Sequence, residues 1–386
     1  MGLVLNLKKA VKKFIFFLLA GLRPFLDTNR PIDNTRITKI LVFEGGGIGD
    51  LLRVFPVIET LHDNFPNASL SMVVSPASEG LLELFPKREI LSEIFYYDAH
   101  SIHKSFLKKL LLLLALRKKN FDLIYAASRG EGMREREIMM FIIGAPYRIS
   151  FDKSNIGTFH TSTVEFDYSL PILRQNLSLL ERCGLNVTEH EIKLQIPEKD
   201  KIYAQRVLGD KDKPVISIDP AATWMAQYRM WPLENYVMLV REIAKNVNCS
   251  IILLGDKKSR KYNDIICKES NNRSVINMSG ETTISQAAAL IQQSNLFIGN
   301  DSGLLHIANA LSIPSIGIFG PTSPEQVLTP GKNSIVIKKN IPCSPCYVHQ
   351  FDFEPKCQVR TCLEEIRVSE IMNAIEKILK STWKVS

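Results

Sequence analysis

A regular alternation of short apolar segments with helical periods runs twice along the chain, and it constrains the fold more than any other feature. Strands alternating with helices are typical of parallel α/β sheets. The first run predicts strands at 39–43, 69–74, 92–97 and 121–127 and helices at 50–64, 77–85, 104–119 and 132–143. The second run predicts strands at 215–219, 250–254, 296–299 and 315–319 and helices at 233–247, 257–270, 283–294 and 303–312. The fold class is therefore α/β, with two Rossmann-like, doubly wound domains in series.

The length of 386 residues suits two domains of ordinary size. We place an N-terminal domain at 37–185 and a C-terminal domain at 186–386, with a helix near 171–183 and a polar linker at 196–201. Open parallel sheets bind ligands at the carboxyl ends of their strands. Two such domains facing one another make a cleft for two substrates.

The net charge of +8 is unevenly distributed. Residues 1–36 carry a net +5 and residues 104–119 a net +6, which leaves the rest slightly acidic. Both segments are strongly apolar, yet neither approaches the ~20 apolar residues of a membrane-spanning helix. Basic residues that accompany apolar runs fit an anionic membrane surface better than nucleic acid.

Residues 1–36 are predicted to be a basic amphipathic segment that contacts the membrane. Apolar positions from Leu7 to Leu22 fall on one helical stripe beside four lysines. A signal peptide is the rival interpretation, but no small-residue cleavage site follows Leu22. A helix packed on the protein's own surface is another. For 104–119, a core helix with solvated ends explains the pattern as well as membrane contact does.

A glycine-rich turn, Glu44-Gly-Gly-Gly-Ile-Gly-Asp50, joins the first strand to a helix. No register gives the dinucleotide fingerprint, and no Gly-Lys-Ser/Thr of a P-loop follows. Asp50 lies in the first helical turn, where a carboxylate caps free amides. Helix capping alone would account for an aspartate at this position.

Two further loops follow strands of the second domain. Gly299-Asn-Asp-Ser-Gly-Leu-Leu-His306 offers the amides of Ser302, Gly303 and Leu304 as a seat for a phosphate. Asp219 to Pro232 forms a long loop in which Thr223 and Arg229 can donate hydrogen bonds, and an arginine fork pairs well with phosphate. A structural histidine at His306 and a surface arginine at Arg229 are the alternatives.

Four cysteines are spaced C-x2-C-x10-C-x4-C near the end of the chain. Four thiolates so spaced could bind a structural Zn²⁺ ion tetrahedrally; they are Cys343, Cys346, Cys357 and Cys362. The total of seven cysteines and the absence of a credible signal peptide favour a reducing cytosol. Reduced thiols or an occasional disulfide remain alternatives to zinc.

Taken in order, these motifs resemble glycosyltransferase family 9, the heptosyltransferases of lipopolysaccharide core assembly. The resemblance covers nearly all of residues 38–381. It rests on Ile40-Leu-Val-Phe with Gly-Ile-Gly-Asp50, the Phe-Pro-Asn-Ala turn at 65–68, Phe121-Asp-Leu-Ile-Tyr, Pro220-Ala-Ala to Arg229-Met-Trp-Pro, Asp301-Ser-Gly-Leu-Leu-His, and Ile318-Phe-Gly-Pro-Thr. The cysteine pattern also recurs in many members.

The resemblance implies the GT-B fold, with an acceptor domain, a nucleotide-sugar domain and a final helix at 367–381 that crosses back onto the first domain. It also implies an inverting transfer, without an obligatory metal or cofactor, from ADP-heptose or a related nucleotide sugar. The implied acceptor is a lipid-linked anionic glycan, and the implied location is cytoplasmic, peripheral on the inner face of the cytoplasmic membrane. Nucleic acid is not an expected partner.

The site residues follow from the same resemblance. Asp50 matches the family's general base. The donor is expected at Thr223, Arg229, Asp301, Ser302, Gly303, Leu304 and His306, and the acceptor at Gly47, Gly49, Arg53, Arg129 and Arg134. Arg229 stands where the family generally has Lys, and Ser259 stands where it often has a ribose-binding Glu. Asp256 then substitutes, or the donor differs, or the chain is a non-catalytic binding module with a GT-B shell.

Overall fold

The computed structural model describes residues 32–382 except 100, 127–132, 153–160, 166, 168, 189–190, 210–212, 222–223, 273, 329–333, 347–356 and 358. Residues 1–31 of the predicted membrane-contact segment therefore lie outside the described part. Two six-stranded sheets organise the described residues.

The first sheet has the order β3-β2-β1-β4-β5-β6, and all its neighbouring strands are parallel. Its strands are β1 (Lys39–Glu44), β2 (Ser69–Val74), β3 (Leu91–Tyr96), β4 (Leu123–Ala126), β5 (Tyr147–Asp152) and β6 (Ser162–Glu165). In register, Ile40 of β1 lies beside Leu70 of β2 and Leu123 of β4.

The second sheet has the order β12-β11-β10-β7-β8-β9 and is also parallel throughout. Its strands are β7 (Val215–Asp219), β8 (Ser250–Leu253), β9 (Val275–Asn277), β10 (Leu296–Asn300), β11 (Ser315–Ile318) and β12 (Ser334–Ile337). Counted from the first strand of each sheet, both follow the Rossmann order 3-2-1-4-5-6. The predicted pair of doubly wound domains is confirmed.

The helices connect and cover these strands. They are α1 (Ile48–Leu52), α2 (Phe55–Asn64), α3 (Phe106–Arg117), α4 (Met133–Ile143), α5 (Ile172–Arg182), α6 (Glu198–Leu208), α7 (Leu233–Asn246), α8 (Arg260–Ser270), α9 (Ile284–Gln292), α10 (Gly303–Ala310), α11 (Pro324–Val327), α12 (Thr361–Glu364) and α13 (Val368–Thr382). Short 3₁₀ turns occur at Asn34–Arg36, Glu79–Leu84, Arg88–Ile90, Ile102–Lys104 and Trp224–Arg229. In the described part of the chain, no helix combines the length and apolar character needed to cross a bilayer.

The central strands are buried along almost their whole length. All five residues of β7 and of β10 are buried, and so are five of the six in β1. Continuous burial is expected where helices cover both faces of a parallel sheet. The apolar runs that defined the sequence pattern are therefore the core of each domain.

Three predictions about helices need correction. The predicted helix at 50–64 is two helices, broken at Arg53 and Val54, because Pro56 cannot donate a backbone hydrogen bond and suits the first turn of α2. The predicted helix at 77–85 is a 3₁₀ turn that ends just before Pro86. The predicted linker at 196–201 instead leads into α6, where Asp200 is buried and accepts a 2.5 Å hydrogen bond from Ser285.

The sequence pattern also missed strands β5, β6, β9 and β12. Polar residues interrupt the apolar pattern of β5, yet Arg148 and Ser150 are buried there, and Ser150 donates to the Ala126 carbonyl. The final helix was predicted at 367–381 and lies at 368–382 as α13. Its buried residues Ile371, Ala374, Ile375 and Ile378 belong to the core cluster of the second sheet. Its crossing onto the first domain, like the boundary near 185, stays a prediction.

Candidate active site

Three strands that precede the predicted site motifs lie at the points where the strand order of the two sheets reverses. In the first sheet, the reversal lies between β1 and β4, and in the second between β7 and β10. Ligands of open α/β sheets bind in the crevice outside these reversal points. The chain leaves β1 at Glu44, β7 at Asp219 and β10 at Asn300. The three sequence motifs therefore lie at the positions where such a fold forms its site.

The glycine-rich turn presents the Asp50 carboxylate at the start of α1. The Gly46 amide donates to Glu44 Oε1 at 2.7 Å, and the Gly47 amide donates to Asp50 Oδ2 at 3.2 Å. Asp50 therefore does cap the helix start, as the simpler interpretation predicted. Its side chain is nevertheless 41% exposed, so the carboxylate remains accessible to a substrate.

Arg53 holds the other oxygen of Asp50. Its Nη2 donates to Asp50 Oδ1 at 2.7 Å, and its Nη1 donates to the Val327 carbonyl at 2.9 Å. Val327 belongs to the second domain, so the guanidinium joins the two halves of the molecule. Because Arg53 is buried and engaged in this way, the geometry favours a role in positioning Asp50 over the predicted contact with acceptor.

Helices α1 and α10 cross at very close range between the two domains. A Cβ on Gly49 would lie 2.7 Å from His306 Cδ2, and a Cβ on Gly303 would lie 2.8 Å from Ile48 Cβ. Only glycine allows such an approach without displacement. The charges of Asp50 and Arg53 both act on His306, so this ion pair of the first domain lies near an imidazole of the second.

Asp301 is the buried centre of the second domain's site. Its carboxylate forms an ion pair with Arg229 Nη1 at 3.1 Å and lies 3.6 Å from His306 Nε2. Burial alone would raise the pKa of Asp301, but Arg229 and His306 outweigh this and hold that pKa well below its ordinary value. Asp301 is therefore ionised and orients both partners.

The His306 side chain is 10% exposed and lies beside these charges. Desolvation lowers the pKa of His306, and Arg53 adds to the effect, while Asp301 and Asp50 oppose it. The net direction is downward, so the imidazole is neutral at physiological pH. A neutral imidazole serves as a hydrogen-bonding group and not as a fixed cation.

The loop after β10 opens a helix whose first amides point outward. Ser302 is the N-cap of α10 and accepts from the Leu305 amide. The amides of the first turn have no intrahelical acceptor and, with the helix dipole, favour an anion. The amides of Ser302, Gly303 and Leu304 therefore have the chemistry of a phosphate site, and their contact with the donor stays a prediction.

Asp219 and Asn300 support this loop, and neither was predicted as a site residue. The Ser302 hydroxyl donates to Asp219 Oδ2 at 2.7 Å, while Asn300 donates to the Pro220 carbonyl and accepts from the Trp231 amide. Burial raises the pKa of Asp219 to about 7. The signal that could have found them is their position at the ends of two adjacent strands.

Asp256 follows strand β8 near the same edge. Its Oδ1 accepts from the amide of Ser259 at 2.8 Å and from its hydroxyl at 2.6 Å. It is also close enough to Asp219 for its charge to raise the pKa of that residue. Asp256 is thus beside the site, and Ser259 holds it there.

The remaining predicted residues lie outside what the structure describes. Thr223 and Arg129 are among the residues not described, and the side chain of Arg134 is not described either. Their assignments to donor and acceptor stay predictions.

The zinc site suggested by the four cysteines stays a prediction. Among the described residues, which include all four, no group of three or more His, Cys, Asp or Glu side chains is arranged to hold a metal ion. The thiols nevertheless influence one another. Burial, with the neighbouring thiols adding to it, raises the pKa of Cys362 to about 11 and also raises that of Cys346. Without a metal these two thiols are neutral at physiological pH.

Two Rossmann-like domains, a carboxylate on one side of their junction and an anion seat with a cation on the other define a glycosyltransferase of the GT-B class. The family profile described as "Glycosyltransferase family 9 (heptosyltransferase)" matches residues 111–356. The chain belongs to glycosyltransferase family 9, which confirms the resemblance seen in its motifs.

Known proteins show the same relationship. Lipooligosaccharide heptosyltransferase 2 of Campylobacter jejuni is 23% identical over 351 residues, which cover 89% of this chain and 99% of that protein. The structure of E. coli ADP-heptose lps heptosyltransferase II has a TM-score of 0.69 at 20% identity, with 89% of this chain and 99% of that chain covered. An E. coli heptosyltransferase with ADP-2-deoxy-2-fluoro heptose has a TM-score of 0.63 at 15% identity, covering 88% and 99%. These solved structures share the fold.

Proposed function

We propose that this enzyme transfers a heptose from ADP-heptose, with inversion, to the core of a lipopolysaccharide or related glycolipid. The observation that carries the proposal is that the charge of Asp50 acts on His306, which shares Asp301 with Arg229. The donor is suggested by relatives whose names or bound ligands specify heptose and ADP. The enzyme acts as a peripheral protein at the cytoplasmic face of the membrane that holds its acceptor.

Asp50 acts as general base. A sugar hydroxyl is a poor nucleophile until its proton is removed, and a carboxylate within hydrogen-bond reach can remove it. Arg53 fixes one oxygen of Asp50 at 2.7 Å and leaves the carboxylate partly exposed. The activated oxygen then attacks the anomeric carbon from the face opposite the leaving ADP, which inverts that centre.

The second domain stabilises the leaving diphosphate. Negative charge grows on the phosphate oxygen as the glycosidic bond breaks, and donors already in place lower the energy of that state. Arg229 supplies a positive charge, and the amides of Ser302, Gly303 and Leu304 supply hydrogen bonds. Asp301 acts through Arg229 and His306, which it orients.

Asp256 is proposed to bind the donor ribose. A carboxylate accepts hydrogen bonds from both ribose hydroxyls, which is the task of the Glu that Ser259 replaces. Asp256 is exposed, and Ser259 occupies only one of its oxygens. This arrangement keeps a carboxylate near the expected ribose position.

A transfer assay tests the proposal. The purified chain is incubated with a heptose-deficient core glycolipid and, separately, with ADP-, GDP- and UDP-sugars, and products are followed by mass spectrometry. We expect transfer from ADP-heptose, an inverted anomeric centre by NMR, and a thermal shift with ADP-heptose, since ligand binding raises apparent stability. Preferred transfer from another nucleotide sugar would contradict the donor assignment, and binding without turnover would indicate a non-catalytic module.

A further inference from the structure

Helix α3 carries apolar side chains on two faces, and only one of them is covered. Leu113 and Leu116 are buried in a cluster with Met139, Met140 and Ile143. Those three residues lie in helix α4, so this face is the ordinary contact between α3 and its neighbour. A helix that is apolar on all sides is normally buried on all sides.

The other face of α3 is exposed. Leu107, Leu111 and Leu114 follow the i, i+4, i+7 spacing of one helical stripe and are 63%, 58% and 42% exposed. Phe106, the first residue of α3, and Ile102, in the preceding 3₁₀ turn, are also exposed, by 79% and 53%. Contiguous apolar patches of this kind mark sites that bind a partner or a membrane.

The rim of this stripe is basic. Lys104, Lys108 and Lys118 are exposed around it, and residues 101–120 contain no acidic residue. The neighbouring acids Glu135 and Glu93 form ion pairs with Lys109 and Lys119 of the same segment. The surface therefore presents apolar side chains ringed by positive charge.

The positive charge of this surface indicates what binds to it. A second copy of this chain would bring two basic rims together, and residues 1–31, which are also basic, would meet the same repulsion. Apolar side chains that enter the acyl boundary beside lysines that meet lipid headgroups are the pattern of a helix lying in a membrane interface. We propose that the exposed face of α3, together with Ile102, docks on an anionic lipid bilayer.

This docking surface deepens the proposed function and rests on it, because a lipid-linked acceptor brings the enzyme to a bilayer. The surface lies on the first domain, which also carries Asp50. Docking through α3 would thus bring the acceptor domain, and not the nucleotide-sugar domain, to the membrane.

Vesicle binding tests the surface. The full chain is sedimented with vesicles of phosphatidylglycerol and phosphatidylcholine, or of phosphatidylcholine alone. The double variant Leu107→Ser/Leu111→Ser removes two exposed leucines, and Met238→Ser/Ile265→Ser, both exposed on the second domain, is the matched control. We expect the Leu variant to bind phosphatidylglycerol vesicles at least roughly ten-fold more weakly and the control to bind like the wild type.

The reversal Lys104→Glu/Lys108→Glu should also weaken binding to phosphatidylglycerol vesicles and remove its salt dependence. Unchanged partitioning of the Leu variant would overturn the proposal, and so would a dimer in solution that this variant dissociates. Transfer to a water-soluble, deacylated acceptor distinguishes a failure of membrane docking from a failure of the proposed catalytic function. All variants should transfer sugar to it at the wild-type rate, whereas failure of the wild type with every acceptor would count against the proposed function alone.

Discussion

The crossing of α1 and α10 predicts that Gly49→Ala will uncouple the two halves of the site. The new methyl would lie 2.7 Å from His306 Cδ2, and an ordinary contact begins near 3.4 Å. Either the helices separate or the imidazole moves, in each case by about 0.7 Å. A misplacement approaching 1 Å costs up to about 100-fold in rate, so we expect kcat to fall by roughly 10- to 100-fold. The free energy of unfolding should fall by only about 1–3 kcal/mol.

Gly47→Ala is the matched comparison for this effect. A methyl at Gly47 meets no described heavy atom within 4 Å, and its φ of −82° suits alanine. We expect its free energy of unfolding to stay within about 0.5 kcal/mol of the wild type and any change to appear in the KM for acceptor, because we predict an acceptor contact there. Steady-state kinetics and denaturant unfolding measure both variants. A Gly49→Ala enzyme with the wild-type kcat would refute the close-crossing argument.

Substitutions at three further positions test individual contacts. Arg229→Lys keeps the charge, and its kcat should stay within about ten-fold of the wild-type value. Arg229→Met should lower kcat by roughly 100-fold or more and the free energy of unfolding by about 3 kcal/mol, because Asp301 is left buried without its cation. Equal kinetics for the two variants would contradict the role of the Arg229 charge in stabilising the leaving diphosphate. The folded-state pKa of Asp219 is about 7 against an ordinary 3.8. The protonated carboxyl therefore stabilises the fold at low pH, and this stabilisation is lost as the pH rises from about 4 to 7. Asp219→Asn should reduce this pH-dependent loss in the free energy of unfolding by at most about 4 kcal/mol. An unchanged pH profile would exclude a raised pKa. Arg53→Met should lower kcat about ten-fold and stability by about 1–2 kcal/mol, most of it from the bond to Val327; a pure KM effect for the acceptor would instead support direct acceptor contact.

Much of the fold could be predicted because the residue patterns that define its strands and helices are local in the sequence. The buried strands β1, β7 and β10 are continuous apolar runs, and the helices between them have clear periods. Strand β5 escaped because buried Arg148 and Ser150 find partners only in the folded structure. The break before α2 was readable from Pro56, whose effect on a helix is local as well.

The site was predictable in part, for a related reason. Asp50 and Asp301 to His306 follow strands in recognisable turns, so their chemistry could be named from neighbouring residues. The engagement of Arg53 with Val327 spans 274 positions, and the support of Ser302 by Asp219 spans 83. Contacts between residues so far apart leave no trace in a local pattern. The zinc prediction rests on cysteine spacing alone, which says nothing about where four side chains point, and it stays a prediction.

The central claim is that Asp50 removes the acceptor proton, and Asp50→Asn tests it most directly. Asparagine keeps the shape but has one acceptor oxygen, so it retains the hydrogen bond from the Gly47 amide or the one from Arg53 and not both. The fold should survive this loss of about 1 kcal/mol, and the affinity for ADP-heptose should be unchanged, because the donor is expected on the second domain. The account predicts that the single-turnover transfer rate with bound donor falls by about 100- to 10,000-fold. A variant that binds donor normally and transfers within a few-fold of the wild-type rate would contradict the account.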